Sequence, residues 1–280
     1  MIEGHPEMAL LPDVRRPRER AMINLHVAAA ERLSPSFVKV TLTGEALTRF
    51  RPSGPDQAFR MFFRRPGQQR LTMPTFANEA WMAQLIVQPT SRRPWVRMYT
   101  VRAIRPHLDE LDVEIALHDG AHGPSPATAW ALSTGPGDPV GIFDEGYTYQ
   151  PPPATRRQLL VADESALPAV LAILERASPD LHAEVFLEVP DEADIRPDVT
   201  KPANTTVHWL PRNDPTLRPG TLALGTVRGA RLSAPPEYAW VAGESALATG
   251  IRRHLVNDRR LPKSAVTFTG YWRHGHSAPG

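Results

Sequence analysis

The chain divides into a small closed antiparallel β-barrel and a mostly parallel α/β domain, and three observations predict this. Short alternating strands separated by turn residues fill the first half. Strands and helices alternate through the second half, the rhythm of a parallel sheet covered by helices. Between them stands Pro151-Pro152-Pro153, a stiff extended spacer. A length of 280 residues suits two domains that each bury a core, and the 30 prolines argue for edges and turns over a helical bundle.

Taken in order, residues 1–20 are polar, charged and aperiodic, which predicts a flexible arm. Residues 21–150 are the barrel. Strands are expected from Ile23 onward, then at Phe37–Thr43, Ala58–Phe63, Trp95–Ile104, Glu110–Leu117 and Pro139–Ile142. Pro52-Ser53-Gly54-Pro55, Arg65-Pro66-Gly67 and Gly135-Pro136-Gly137-Asp138 supply turns, and one short helix falls near Ala127–Ser133. Residues 151–280 form the α/β domain. Its expected strands are Gln158–Ala162, Ala183–Val189, Thr205–Leu210, Tyr238–Ala242 and Val266–Trp272, with helices Ala166–Ala177 and Ser245–Asn257.

The α/β half contains an echo. Val161-Ala162-Asp163-Glu164-Ser165-Ala166-Leu167 resembles Val241-Ala242-Gly243-Glu244-Ser245-Ala246-Leu247. Each runs from an apolar strand through an acid to a serine suited to capping, then into a helix. Two such units on adjacent parallel strands bring both helix starts to the sheet edge where open α/β sheets bind ligands. Two ordinary capped helix starts would look the same.

Composition narrows the chemistry. There is no cysteine, so disulfides, thiolate nucleophiles and cysteine-ligated iron–sulfur or zinc sites are excluded. Any redox chemistry must rest on a bound organic cofactor. A formal charge of +2 is too small for a dedicated nucleic-acid binder, and Arg15-Arg16-Pro17-Arg18 and Arg92-Arg93 read as solvated surface. No window approaches about 18 consecutive apolar residues, so no membrane insertion is expected. The N-terminus lacks a secretory plan, which makes the cytoplasm the expected location. No metal-binding histidine pair and no Gly-x-Ser-x-Gly motif occur.

The most informative stretch is Arg97-Met98-Tyr99-Thr100-Val101-Arg102. On a strand, Arg97 and Tyr99 share one face and Met98 and Thr100 the other. Arginine offers a planar fork to phosphate, tyrosine a surface for a flat ring, and threonine a hydroxyl for a ring nitrogen. The strand Leu111–Leu117, containing Ile115, then ends on His118 and leads into Pro126-Ala127-Thr128-Ala129-Trp130, a helix start able to receive a diphosphate. Together these make a flavin dinucleotide cradle, although a plain surface strand would satisfy the four-residue pattern alone.

In this order the motifs resemble the siderophore-interacting protein family. The likeness runs from about residue 23 through Leu159–Ala169, Trp209-Leu210-Pro211-Arg212, Trp240–Glu244 and Arg252–Leu255 to Tyr271-Trp272-Arg273-His274-Gly275. It implies a ferredoxin-reductase-like arrangement: a six-stranded-type FAD-binding barrel followed by a nicotinamide-binding-like domain. By position, Arg97, Met98, Tyr99 and Thr100 would hold the flavin phosphates and ring. Ile115, Leu117 and His118 would line the ring or ribityl chain, and Ala127, Thr128 and Trp130 would sit at the diphosphate. Asp163, Glu164, Ser165, Glu244, Trp272 and Arg273 are candidates for the electron-donor side. Arg64, Arg65 and Arg102 are candidates for docking an anionic ferric siderophore. The implied activity moves electrons from NADPH or NADH, or from reduced ferredoxin, through FAD to siderophore-bound Fe(III). A general flavin reductase and a non-catalytic siderophore- or nucleotide-binding protein are the alternatives. Two features depart from the pattern: a long Asp119–Pro126 loop containing His122, and Asp163-Glu164-Ser165 where nicotinamide binders carry glycines.

Overall fold

A computed structural model describes residues 13–120 and 123–276; part of the expected arm and His122 lie outside them. The first sheet contains β1 (Met22–Ser34), β2 (Phe37–Thr43), β3 (Ala58–Phe63), β4 (Trp95–Thr100), β5 (Ala103–Arg105), β6 (Glu110–Ala116) and β9 (Pro139–Gly146). Its order is β4-β3-β9-β1-β2-β6-β5, antiparallel throughout. Helix α1 (Trp81–Val87) lies between β3 and β4; the pair β7 (Asp119–Gly120) and β8 (Gly123–Pro124) leads into α2 (Pro126–Ser133). The sequence pattern expects one strand over Trp95–Ile104, but it breaks at Val101–Arg102. There Val101 N–H bonds to Gln57 C=O at 2.8 Å and Arg102 N–H to Asp112 C=O at 2.9 Å. The chain thus passes from the β3 edge to the β6 edge, and that crossing closes the barrel.

Alternation does the rest. Inward residues of β1, β2, β3 and β6, among them Leu25, Val40, Phe59, Met61 and Val113, make one core. Phe62, Val96 and Phe143 face outward but are covered by Trp81 and Leu85 of α1 in a satellite cluster. Neither α1 nor a helix over Thr221–Gly229 in the second domain is anticipated by the sequence pattern.

The second domain alternates β10 (Arg157–Ala162), α3 (Leu167–Arg176), β11 (His182–Val189), β12 (Thr205–Pro211), α4 (Thr221–Gly229), β13 (Tyr238–Glu244), α5 (Ser245–Asn257) and β14 (Val266–Trp272). Its sheet is parallel, in the order β12-β11-β10-β13-β14. Strand order reverses between β10 and β13, where Ala162 sits opposite Ala242. This is the topological switch point of an open α/β sheet. α3 packs on one face and α4 with α5 on the other.

The two domains share buried groups. Phe37, at the start of β2 and 0% exposed, belongs to the core of the second domain, with the Arg196 guanidinium 5.0 Å from its ring centroid. Buried Asp56 accepts from the Thr148 hydroxyl at 2.6 Å and the Tyr149 amide at 3.0 Å, and Trp240 Nε1 donates to the Thr148 hydroxyl at 3.0 Å. Arg102 donates two parallel hydrogen bonds to the Glu175 carboxylate of α3 while also pairing with Glu114. Residues 13–20 are tied to the barrel by an Arg15–Tyr147 bridge and an Arg20–Glu145 ion pair.

Candidate functional site

On β4 the side chains of Trp95, Arg97 and Tyr99 lie on one face, opposite Phe63, Met61 and Phe59 of β3, and all three are half-buried. Arg97 donates to its neighbour's carbonyl, Val96 C=O, at 2.7 Å. Among the described residues no carboxylate lies within ion-pair distance of it. Burial lowers the Arg97 pKa and raises that of Tyr99. On the other face Thr100 is buried and Met98 is 43% exposed. The Tyr271 phenol from β14 lies beside the Thr100 side chain across the domain junction.

A second bridge lies beside the first. The His118 ring, just beyond β6, stacks on Trp272 of β14 with centroids 6.2 Å apart and planes at 25°. Thr128 in the first turn of α2 joins the helix to the same place, its hydroxyl donating to His118 C=O and accepting from His118 N–H, both at 2.9 Å. Ser125 caps this helix through the Thr128 amide. Thr128 is thereby occupied with local structure. Trp130 packs on Phe63 at 5.1 Å, and Ala127 is buried beneath the helix. Ile115 is fully buried in the barrel core and Leu117 packs against that core. At the domain junction the structure therefore brings together Thr100 at the end of β4, His118 just beyond β6, the start of α2, and Tyr271 with Trp272 from the other domain, while Arg97 and Tyr99 lie on the opposite face of β4.

Behind Trp272 the carboxyl edge of the parallel sheet is crowded with acids. Asp163 is 0% exposed and accepts from Ser165 N–H and Oγ, from Glu244 N–H and from Trp272 Nε1, at 2.9, 2.6, 2.6 and 3.2 Å. It ties together the ends of β10, β13 and β14. Gly243 (φ +139°) admits this arrangement, since a Cβ there would come within 2.6 Å of the Asp163 carboxyl. The serines of the echo are not the caps that the pattern suggests. Glu244 caps α5 through the Ala246 amide, while Ser245 donates to Trp272 C=O. At the other unit Ser165 Oγ is drawn to Asp163, and α3 starts at Ala166 with no side-chain cap. A charged carboxylate outcompetes a hydroxyl for an amide at such a position.

These carboxylates have partners at a distance in sequence. Arg212 reaches both Glu164 and Glu188, and Arg218 reaches Glu244 at 2.6 Å. Glu188 also accepts from the amides of Gly220 and Ala223, each at 2.7 Å, and so caps α4. Burial and then the Glu164 charge push the Asp163 pKa up to about 7, against the pull of its donors. Burial likewise lifts Asp144 to about 6. A carboxyl whose folded pKa is raised binds its proton more tightly in the folded state, so its contribution is fully present below pH ~4 and lost as pH rises through the folded value. The melting temperature should therefore fall between about pH 5 and 8. In Asp163→Asn the fall should be shallower; an unchanged slope in that variant would show that Asp163 is already ionised throughout.

The basic candidates separate. Arg64 pairs with Asp138 at 2.7 Å and Arg102 with Glu114 and Glu175, so both are neutralised within the fold. Arg65 has no acidic partner among the described residues; its guanidinium stacks on Trp95, 3.8 Å from the ring centroid. Arg273 is exposed at the end of the described chain. The sequence reading passes over Tyr271 and Trp95 as site residues and takes Arg93 for solvated surface, whereas Arg93 is half-buried with its Nη2 bonded to the Ile86 and Gln88 carbonyls. Tyr271 opens one quoted motif and Trp95 lies two residues before another, which is the only local signal they give.

An antiparallel seven-stranded sheet joined to a five-stranded parallel domain with this strand order has the ferredoxin-reductase-like fold. Ferredoxin-NADP+ reductase from Plasmodium falciparum shares the fold alone, with a TM-score of 0.60 and 12% identity over 89% of this chain and 96% of that one. More specifically, residues 26–148 match the family model described as siderophore-interacting FAD-binding domain, and residues 155–275 match that of siderophore-interacting protein. The chain belongs to the siderophore-interacting protein family. It is similar to ferric vibriobactin reductase ViuB of Vibrio cholerae (29% identity, 87% of this chain and 86% of that one). It is also similar to the NADPH-dependent ferric-chelate reductase of Escherichia coli (27%, 89% and 91%). The crystal structure of a siderophore utilization protein from T. fusca superposes with a TM-score of 0.78 at 26% identity, covering 94% of this chain and 97% of that one. In class the chain is an FAD-dependent oxidoreductase. The residues suit that cofactor: β4 presents the half-buried Arg97 without a counter-charge among the described residues, and the buried Nε of nearby Arg93 has no acceptor.

Proposed function

We propose that this chain reduces ferric siderophores in the cytoplasm, taking electrons from NADPH or NADH and releasing iron as Fe(II). The observation that carries this is the domain junction, where the end of β4, His118 and the Tyr271–Trp272 end of β14 meet from two domains. Two relatives bear ferric reductase names, one of them NADPH-dependent, which supports both the acceptor and the nicotinamide donor. When bound, FAD supplies the conversion between a donor's electron pair and the single electrons that iron accepts. In this reading Arg97 holds the diphosphate, Tyr99 and Thr100 orient the ring, and His118 frames its edge. Tyr271 and Trp272 exclude water from the second domain's side, with Asp163 and Ser245 fixing the indole and its backbone. The starts of α4 and α5 are already capped by Glu188 and Glu244, so a donor's phosphates gain little there and its binding should be weak. No helix among the described residues is long and apolar enough to cross a membrane.

The test is the visible spectrum of the purified protein under anaerobic conditions, on adding NADPH, NADH or reduced ferredoxin and then a ferric siderophore. The expected result is a yellow band bleached by the nicotinamide and restored by the chelate as Fe(II) appears. Bleaching by reduced ferredoxin alone would change the donor. Ready reduction of free flavin with indifference to the chelate would make the protein a general flavin reductase. A colourless protein that takes up no FAD would overturn the proposal in favour of a binding protein.

A further inference from the structure

The end of the β4 face away from Tyr99 carries a charge imbalance that a ring and diphosphate alone do not explain. The Arg65 and Arg97 guanidinium carbons lie 3.8 and 5.4 Å from the centroid of the same indole, that of Trp95. Arg65 Nε donates to Arg93 C=O at 2.8 Å, which brings a third arginine to the group. Among the described residues none of these three has a carboxylate within ion-pair distance. Their neighbours Arg60, Arg64 and Arg102 each have one. Backbone carbonyls are what the cluster has instead: Ile86 and Gln88 accept from Arg93 Nη2, and Val96 from Arg97 Nη1. The buried Nε of Arg93 has no acceptor. Burial, then the charges of Arg93 and Arg97, lower the Arg65 pKa. Half-buried like charges with a donor left over raise the free energy of the fold unless an anion from outside completes them.

We infer that Arg65, Arg93 and Trp95 form a subsite for the adenosine monophosphate half of FAD, contiguous with Arg97, and that this subsite selects FAD over FMN. The inference rests on the proposed flavin cleft. Trp95, Arg97 and Tyr99 occupy alternate positions on one strand face, so the row is about 13 Å long at ~3.3 Å per residue. With the ring at Tyr99 and the diphosphate at Arg97, the cofactor's remaining length leads to Trp95. An indole already stacked with guanidinium offers planar, electron-rich and cationic surfaces suited to a purine and its phosphate. A ferric chelate gains nothing by binding here, since it must lie close to the ring, at the opposite end of the row.

The experiment is calorimetric titration of FAD, FMN and ADP into the flavin-stripped protein, for wild type, Arg65→Gln, Arg93→Gln and Arg65→Lys, with thermal melting of each. Wild type should prefer FAD to FMN and bind ADP in competition with FAD. Each Gln variant should lose about tenfold or more in FAD and ADP affinity, the scale of one charge-assisted bond, with FMN affinity unchanged. Arg65→Lys, which keeps the charge without the plane, should recover only part of the loss and guards against a variant that fails to fold. Equal losses for FAD and FMN overturn the inference. So do unchanged FAD and ADP affinities alongside a raised KM for ferric citrate, which would assign the cluster to the substrate. A wild type that binds ADP but neither flavin removes the flavin cleft and leaves the adenosine phosphate subsite standing; one that binds none of the three removes both.

Discussion

Replacing Arg97 by glutamine is expected to weaken FAD binding about 100-fold without lowering the melting temperature. The magnitude corresponds to about 2.7 kcal/mol, within the range for a charge-assisted contact to phosphate. The absence of a stability cost follows from the surroundings. Arg97 is half-buried, its pKa is lowered by burial, and its one hydrogen bond is to the adjacent Val96 carbonyl. Removing a desolvated cation that has no counter-charge relieves the flavin-free fold. Flavin fluorescence titration and differential scanning calorimetry on the same preparation read both quantities. A variant that keeps wild-type FAD affinity would show that the diphosphate lies elsewhere. One that melts well below wild type would make Arg97 structural.

Arg212→Leu should do the reverse, costing about 3–5 kcal/mol of stability while leaving the barrel's cofactor cleft chemically intact. Arg212 donates to Glu164 at 2.8 Å through both terminal nitrogens and to Glu188 at 2.7 Å. Glu188 is 0% exposed and Glu164 8% exposed, so without the arginine two carboxylates stay buried with no counter-ion. Burial lowers the Arg212 pKa, but the bonds to both glutamates outweigh it and the net shift is upward. At ~2–4 °C per kcal/mol for a chain of this size, the melting temperature should drop by roughly 10 °C. Adding Glu164→Gln to Arg212→Leu should recover part of the loss, because one of the stranded charges is gone. A single variant within about 1 kcal/mol of wild type would mean that water or another cation compensates the pair.

How much of this was legible follows the range of the forces involved. Phe37–Thr43, Ala58–Phe63, Ser245–Asn257 and Val266–Trp272 are read from the sequence with their observed ends. In each, alternation or helical spacing lies within the segment. Where an element depends on a remote partner, the local pattern fails. α4 starts at Gly220 (φ +85°) under a cap from Glu188, 32 residues earlier, and no run of residues around Thr221 announces it. α1 lacks a polar stripe: Met82, Ile86 and Val87 are exposed while Trp81 and Leu85 are buried, so its apolar run has no helical period to detect. The same limit applies to the site. Arg-x-Tyr-Thr is legible because its chemistry sits on one strand, whereas nothing in three separate arginines distinguishes Arg65 from Arg64 and Arg102. Only their partners do.

From the sequence by itself came the two-domain division, the cysteine-free dependence on a cofactor and the strand that presents Arg97, Tyr99 and Thr100. Each is a property of composition or of neighbours a few residues apart. Tertiary structure alone decided that Tyr271 and Trp272 meet Thr100 and His118, that Asp163 fills the space beside Gly243, and that one arginine cluster keeps its charge. Those outcomes depend on which side chains the barrel and the parallel sheet bring within a few ångströms across the domain junction. Electrostatic and hydrogen-bonding energies are set by that distance and by burial, and neither is written in the spacing of residues along the chain.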